Sequence, residues 1–230
     1  MRGTMEVCAA AVHVVLCGAL TAGLLSAQTA SPTAPCNGLE TLTYAGEVYR
    51  TVEVGGQCWF AENLRTEHYR NGDPLRAGLR NRAWKRAKNG AVAEYVSEFD
   101  EPGSRALHGL LYNGYAVLDP RGLCPVGWRV PSDVDWQAFE VAIGGSTNSA
   151  DALKTPRWDG DNRSGFTATP AGLRASTTGE FVYRGQMTYW WSTTLDPRGL
   201  LFRHLAFHFN SFSRSASHLE LGLSVRCLKE

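Results

Sequence analysis

The clearest helical pattern in the chain runs from Val134 to Ile143, where Trp136, Phe139 and Ile143 recur at i, i+3 and i+7 on one face. Its start is written locally. Ser132 is a good N-cap, Asp135 stands three residues later as a capping-box partner, and Asp133 and Asp135 put negative charge in the first turn. Gly144-Gly145 ends the helix. A shorter helical turn, Ala150 to Lys154, stops before Pro156. Elsewhere the pattern shortens to strands. Glu47 to Val54 and Cys58 to Phe60 flank Gly55-Gly56 and read as a hairpin. From Phe166 onward, Gly and Pro turns separate short strands at Gly165–Thr169, Glu180–Arg184, Tyr189–Thr194, Leu200–Asn210 and Leu219–Leu228. In the fourth of these, Leu205, Phe207 and Phe209 share one face, and His204, Ala206, His208 and Asn210 the other. Leu107 to Leu118 is apolar and aromatic and reads as core, whereas Ala91 to Phe99 suits a strand or a short helix equally.

The first apolar stretch is of another kind. Arg2 precedes a run from Val7 to Leu25, and Leu25-Ser26-Ala27 then offers a small-residue cleavage site, which predicts a secretory signal peptide over 1–27. The run is long enough that an uncleaved anchor is the alternative. Cys8 and Cys17 leave with the signal peptide. Residues 28–43 read as a short linker, polar and disordered in composition from Gln28 to Pro35, and residues 44–230 as one domain.

Four cysteines remain in the mature chain: Cys36, Cys58, Cys124 and Cys227. An even number in an exported chain argues for disulfides, with three connectivities possible. We favour Cys36–Cys58, which staples the hairpin, and Cys124–Cys227, which ties the centre of the chain to its last strand. A zinc site built from all four lacks any close Cys-x-x-Cys pair.

Composition narrows the picture. A formal net charge of +1 excludes an electrostatic case for nucleic acid or an anionic membrane. Twenty-four glycines and seven tryptophans argue for a turn-rich fold pinned by aromatic anchors and against a helical bundle. Locally, Arg70, Arg76, Arg80, Arg82, Lys85, Arg86 and Lys88 crowd the polar stretch from Thr66 to Arg105. We read this stretch as a solvated surface insert; an anionic-ligand site requires those cations to converge on one face.

Catalytic and metal signals are weak. No Gly-x-Ser-x-Gly, His-Glu-x-x-His or phosphate loop occurs. His204 and His208 lie about 13 Å apart if the segment is a strand, too far to share an ion. Asp159 and Asp161 alternate in the manner of a calcium loop, but Arg163 occupies the third ligand position and no bidentate Glu follows, so a plain turn fits better. We expect no cofactor, no metal and no enzymatic activity.

Six blocks carry a resemblance. They are Gly56-Gln57-Cys58-Trp59-Phe60-Ala61-Glu62-Asn63-Leu64-Arg65, Gly109-Leu110-Leu111-Tyr112-Asn113-Gly114-Tyr115-Ala116-Val117, and the central Cys124-Pro125-Val126-Gly127-Trp128-Arg129-Val130-Pro131-Ser132-Asp133-Val134-Asp135-Trp136. Ser164 to Gly172, Tyr189 to Thr194 and Ser224-Val225-Arg226-Cys227 complete the order. Together they resemble the Fibrobacter succinogenes major paralogous domain, a family of bacterial secreted and surface proteins without an established molecular function. The resemblance implies an α+β, C-type-lectin-like fold of short antiparallel strands with one or two short helices, stapled by disulfides. It also implies a secreted or cell-surface location. The Glu-Pro-Asn or Gln-Pro-Asp loop of calcium-dependent sugar-binding lectins is missing, and Glu101-Pro102-Gly103 is only a fragment of it.

The leading expectation is a non-enzymatic binding module for an extracellular glycan or protein, with no membrane span after signal cleavage. The resemblance would put the ligand at the loops of the C-terminal half. There Asn210 to His218 reads as a polar hairpin tip with one exposed aromatic, Phe212. The binding candidates are Trp191, Asn210, Phe212, Arg214 and His218. A structural surface protein and an extracellular polymer hydrolase are the alternatives.

Overall fold

A computed structural model describes residues 36–95, 103–147 and 149–230. The signal peptide read over 1–27 and the polar segment up to Pro35 lie outside these residues, as do Val96 to Phe99 and the Glu101-Pro102 pair. Two tight turns build the first sheet. Ala45-Gly46 joins β1 (Thr41–Tyr44) to β2 (Glu47–Val54), and Gly55-Gly56 joins β2 to β3 (Gln57–Phe60). All four turn residues have positive φ, as two-residue type I′ hairpins require. β1 corrects the boundary drawn from composition, because Thr41 to Thr43 pair with β2 and are not linker.

The middle of the chain holds α1 (Asn81–Trp84), β4 (Val92–Ala93), α2 (Ser104–His108), β5 (Leu111–Asn113), α3 (Gly114–Val117) and β6 (Trp128–Arg129). α4 (Asp133–Ala142) and α5 (Ala150–Leu153) follow. The last third is β7 (Leu173–Arg174), β8 (Phe181–Val182), β9 (Met187–Asp196), β10 (Gly199–Ala206), β11 (Ser213–Ser217), β12 (Gly222–Leu223) and β13 (Leu228–Lys229). Three sheets result, ordered β1-β2-β3-β13-β6, β11-β10-β9 and β4-β5-β12-β7-β8. The pairings within them are antiparallel. The last two strands enter the middle of older sheets: β12 lies between β5 and β7, and β13 between β3 and β6. The fold therefore closes only when the C-terminal segment arrives.

α4 starts as its sequence dictates. The Ser132 hydroxyl accepts from Asp135 N–H, and the Asp135 carboxylate accepts from Ser132 N–H at 2.7 Å, a complete capping box. Trp136 and Phe139 then enter an aromatic cluster with Trp59, Phe166, Trp190 and Phe212, with ring centroids 4.7 to 6.3 Å apart. All seven tryptophans are buried. Two disulfides, Cys36–Cys58 and Cys124–Cys227, staple the unit as favoured above.

Several elements differ from expectation. There are five short helices among the described residues rather than one or two, because turns such as Asn81–Trp84 close a single helical turn. Leu107 is 48% exposed on α2, since the buried segment begins only at Gly109. Gly165–Thr169 is not a strand and makes one bridge, Lys154 to Ala168. The long strand read over Leu200–Asn210 stops at Ala206, and His208 takes a left-handed φ of 50°. Leu219–Leu228 breaks into β12 and β13.

Candidate functional site

β10 carries a charged residue where its neighbours are apolar. Arg203 lies between Leu201 and Leu205 and is 2% exposed, because it faces α4. Its guanidinium pairs with Glu140 and lies 3.4 Å from the Asp133 carboxylate, both on α4. Burial lowers the Arg203 pKa, opposed by the two carboxylates. Asp133 is shared: Arg214 Nε on β11 donates to both its oxygens, at 2.9 and 3.0 Å, and Gln137 Nε2 donates at 2.8 Å. The bond to Asp133 raises the Arg214 pKa. Two guanidiniums and two carboxylates thus lock α4 to the three-stranded sheet. Arg203 Nε has no hydrogen-bond partner among the described residues.

Above this network lies an open cleft of about 520 Å³ between α4 and the β10–β11 connection. Gln137 and Glu140 of α4, Ser146 and Thr147 beyond its end, Arg203 of β10 and the run Ser211 to Arg214 line it. The walls are held by backbone pairing, with Phe212 N–H on Ser146 C=O at 2.9 Å and a bridge between Thr147 and Ser211. A smaller depression of about 210 Å³ adjoins it, lined by Met187, His204, Ala206 and Phe209 and sharing Ser211 and Ser213. Those two hydroxyls stand 3.2 Å apart. Burial pushes His204 below its ordinary pKa, which favours the neutral ring near pH 7, and its Nδ1 has no hydrogen-bond partner among the described residues.

The five binding candidates are not gathered here. Arg214 reaches the cleft. Phe212 lines it but is 0% exposed, which corrects its reading as an exposed loop aromatic. Its burial follows from β11, which occupies Ser213–Ser217 and turns the expected loop into a strand. The exposed aromatic is Phe209 instead, at 67%, because the strand ends at Ala206. Asn210 anchors the connection, donating to Asp151 Oδ2 at 3.0 Å and accepting from Asp151 N–H. Lys154 Nζ holds Phe209 C=O at 2.9 Å. Trp191 is 0% exposed and donates to Tyr112 C=O at 2.8 Å within the core. His218 is exposed just past the end of β11, five residues or about 16 Å along from Ser213.

Sequence reading missed Gln137, Glu140, Ser146, Thr147 and Arg203. One signal was available, the arginine at an inward strand position between Leu201 and Leu205, which demands a buried acid. No group of three or more His, Cys, Asp or Glu side chains able to hold a metal ion occurs among the described residues. In the Asp159–Asp161 turn, Asp161 accepts from Arg163 N–H and pairs with its guanidinium at 2.6 Å.

No curated protein and no solved structure matches the chain. The family model of the Fibrobacter succinogenes major domain matches residues 52–229, the span that contains all three sheets but for β1 and the start of β2, and the chain belongs to that family.

Proposed function

We propose that the chain is a non-enzymatic binding module with a C-type-lectin-like fold, exported to the bacterial surface or its surroundings, and that the cleft beside α4 takes a glycan. The observation that carries this reading is the cleft's lining. Hydroxyls of Ser146, Thr147, Ser211 and Ser213, the Gln137 amide and the Arg214 guanidinium surround it, and Phe209 is exposed on the adjoining depression. Hydroxyls, amides and charged groups on a rigid scaffold match a polyhydroxylated ligand, and an exposed ring suits a sugar's C–H face. Two disulfides and the apolar N-terminal run support export. No helix among the described residues is long and apolar enough to cross a membrane.

A screen of the mature protein against glycans and extracellular polysaccharides, with calcium and with a chelator, tests this. Saturable binding that weakens in Gln137→Ala and Phe209→Ala, with the unfolding midpoint unchanged, is the expected result. A folded protein that binds none of them sinks the reading. It then favours a structural role, which the mutual neutralisation of Arg203, Arg214, Asp133 and Glu140 supports.

A further inference from the structure

From Arg76 to Lys88 the chain carries six cations and no carboxylate, against a net charge of +1 for all 230 residues. α1 decides where they point. Trp84 and Ala87, three residues apart, are both buried, with Ala87 N–H bonded to Trp84 C=O. Arg82, Lys85 and Arg86 therefore fall on the opposite, outward face, where all three are exposed. Arg80 is exposed at the N-cap of the same turn. None of these four side chains has a hydrogen-bond or ion-pair partner among the described residues.

The ground beneath them is positive too. Arg174 is buried with its guanidinium 4.3 Å from the Trp84 ring and 4.7 Å from Phe181, and it donates to the carbonyls of Gly179 and Leu79. Burial lowers its pKa to about 10, which leaves it charged at neutral pH. Of the neighbouring carboxylates, Glu220 is occupied by Lys88, and Glu180 is exposed beside Gly179 without an ion pair. The cations repel one another, and their segment is seated by Trp84, whose Nε1 donates to Glu220 C=O at 2.8 Å, by the buried Ala87 and by Arg174 on Leu79 C=O.

We propose that the outward face of α1 binds an acidic polysaccharide, one bearing carboxylate or sulfate groups along its length, at a surface separate from the cleft. The face lacks an exposed aromatic on which nucleic-acid bases would stack, since Trp84 is 1% exposed. It also lacks exposed large apolar side chains to enter a lipid surface.

The test measures binding of the mature protein to polygalacturonate, dextran sulfate and neutral dextran over a salt series. Binding to at least one charged polymer and not to dextran is expected, weakening as salt screens the contacts. The exposed triple variant Arg82→Gln/Lys85→Gln/Arg86→Gln should bind roughly ten- to a hundredfold more weakly, from a loss of roughly two- to fivefold per surface contact. A control variant, Arg157→Gln/Arg198→Gln, should bind as the parent does. No binding to either charged polymer at low salt overturns the proposal, as does equal loss in both variants. Tighter binding through the same three residues to phosphatidylglycerol vesicles or single-stranded DNA overturns the glycan assignment. Failure here leaves the cleft variants unaffected, so the two readings fall separately.

Discussion

Arg226 Nε donates to Asn63 Oδ1 at 2.7 Å, across 163 residues of chain, in an interior from which both are excluded from water. The same oxygen accepts from Trp190 Nε1 at 2.8 Å, and Asn63 Nδ2 donates to His108 C=O. Arg226 has carbonyl acceptors rather than an acid: Phe60 at 3.0 Å, Phe166 at 2.7 Å and Thr167 at 3.1 Å. Its guanidinium lies 4.2 Å from the Phe166 ring, and burial lowers its pKa to about 9. The group joins the start, middle and end of the domain.

Arg226→Met should lower unfolding free energy by about 3 kcal/mol or more, because several buried carbonyls lose their donor at once. Asn63→Ala should lose a comparable amount, and the double variant less than the two together. Urea unfolding of the three variants measures this. Additive losses would show that the two side chains act independently.

The two disulfides should differ in weight. Cys124–Cys227 closes a sequence separation of 103 and Cys36–Cys58 one of 22. The chain-entropy model gives about 5 and about 3 kcal/mol. Paired Cys→Ala variants compared by thermal unfolding should rank in that order, and the reverse ranking would rule out loop closure as the source.

Ser132→Ala should destabilise by about 1 kcal/mol, since it removes the acceptor for Asp135 N–H at the start of α4. The Asp135 carboxylate keeps its bidentate pair with Arg129 at 2.6 and 2.8 Å, so Asp135→Ala should cost more than Ser132→Ala. Denaturant midpoints at neutral pH check both.

His204 makes stability depend on pH in a defined direction. Burial holds its folded pKa below 6.5. As pH falls through that value the unfolded chain takes up the proton first, so acidification favours unfolding. Between pH 7.5 and 5 the parent should lose more stability than His204→Gln. Parallel pH profiles would contradict this assignment.

Gly55-Gly56 can only turn, and Ser132 with Asp135 satisfies its own helix start, so those elements needed no distant partner. Ala45-Gly46 escaped notice because alanine at a φ of 52° carries no turn signal of its own. The site was less legible. Phe207 and Phe209 alternate with Leu205 as if in one strand, yet the strand stops at Ala206: Phe207 is only half-buried against the aromatic cluster, Phe209 is exposed, and Phe212 is the fully buried ring. Sequence alternation says which residues share a face, not where a strand stops.

The sequence by itself determined the Gly55-Gly56 turn, the α4 cap and the family, because each depends on residues close in the chain or on motifs in a set order; it favoured one cysteine pairing among three. Only the tertiary structure decided that Trp191 and Phe212 are buried, that Arg203 and Arg214 converge on Asp133, and that Arg82, Lys85 and Arg86 share an outward face. Those outcomes depend on which surfaces α4, β10 and α1 press against one another. Such packing is a property of residues 60 to 160 positions apart, and no local pattern encodes it.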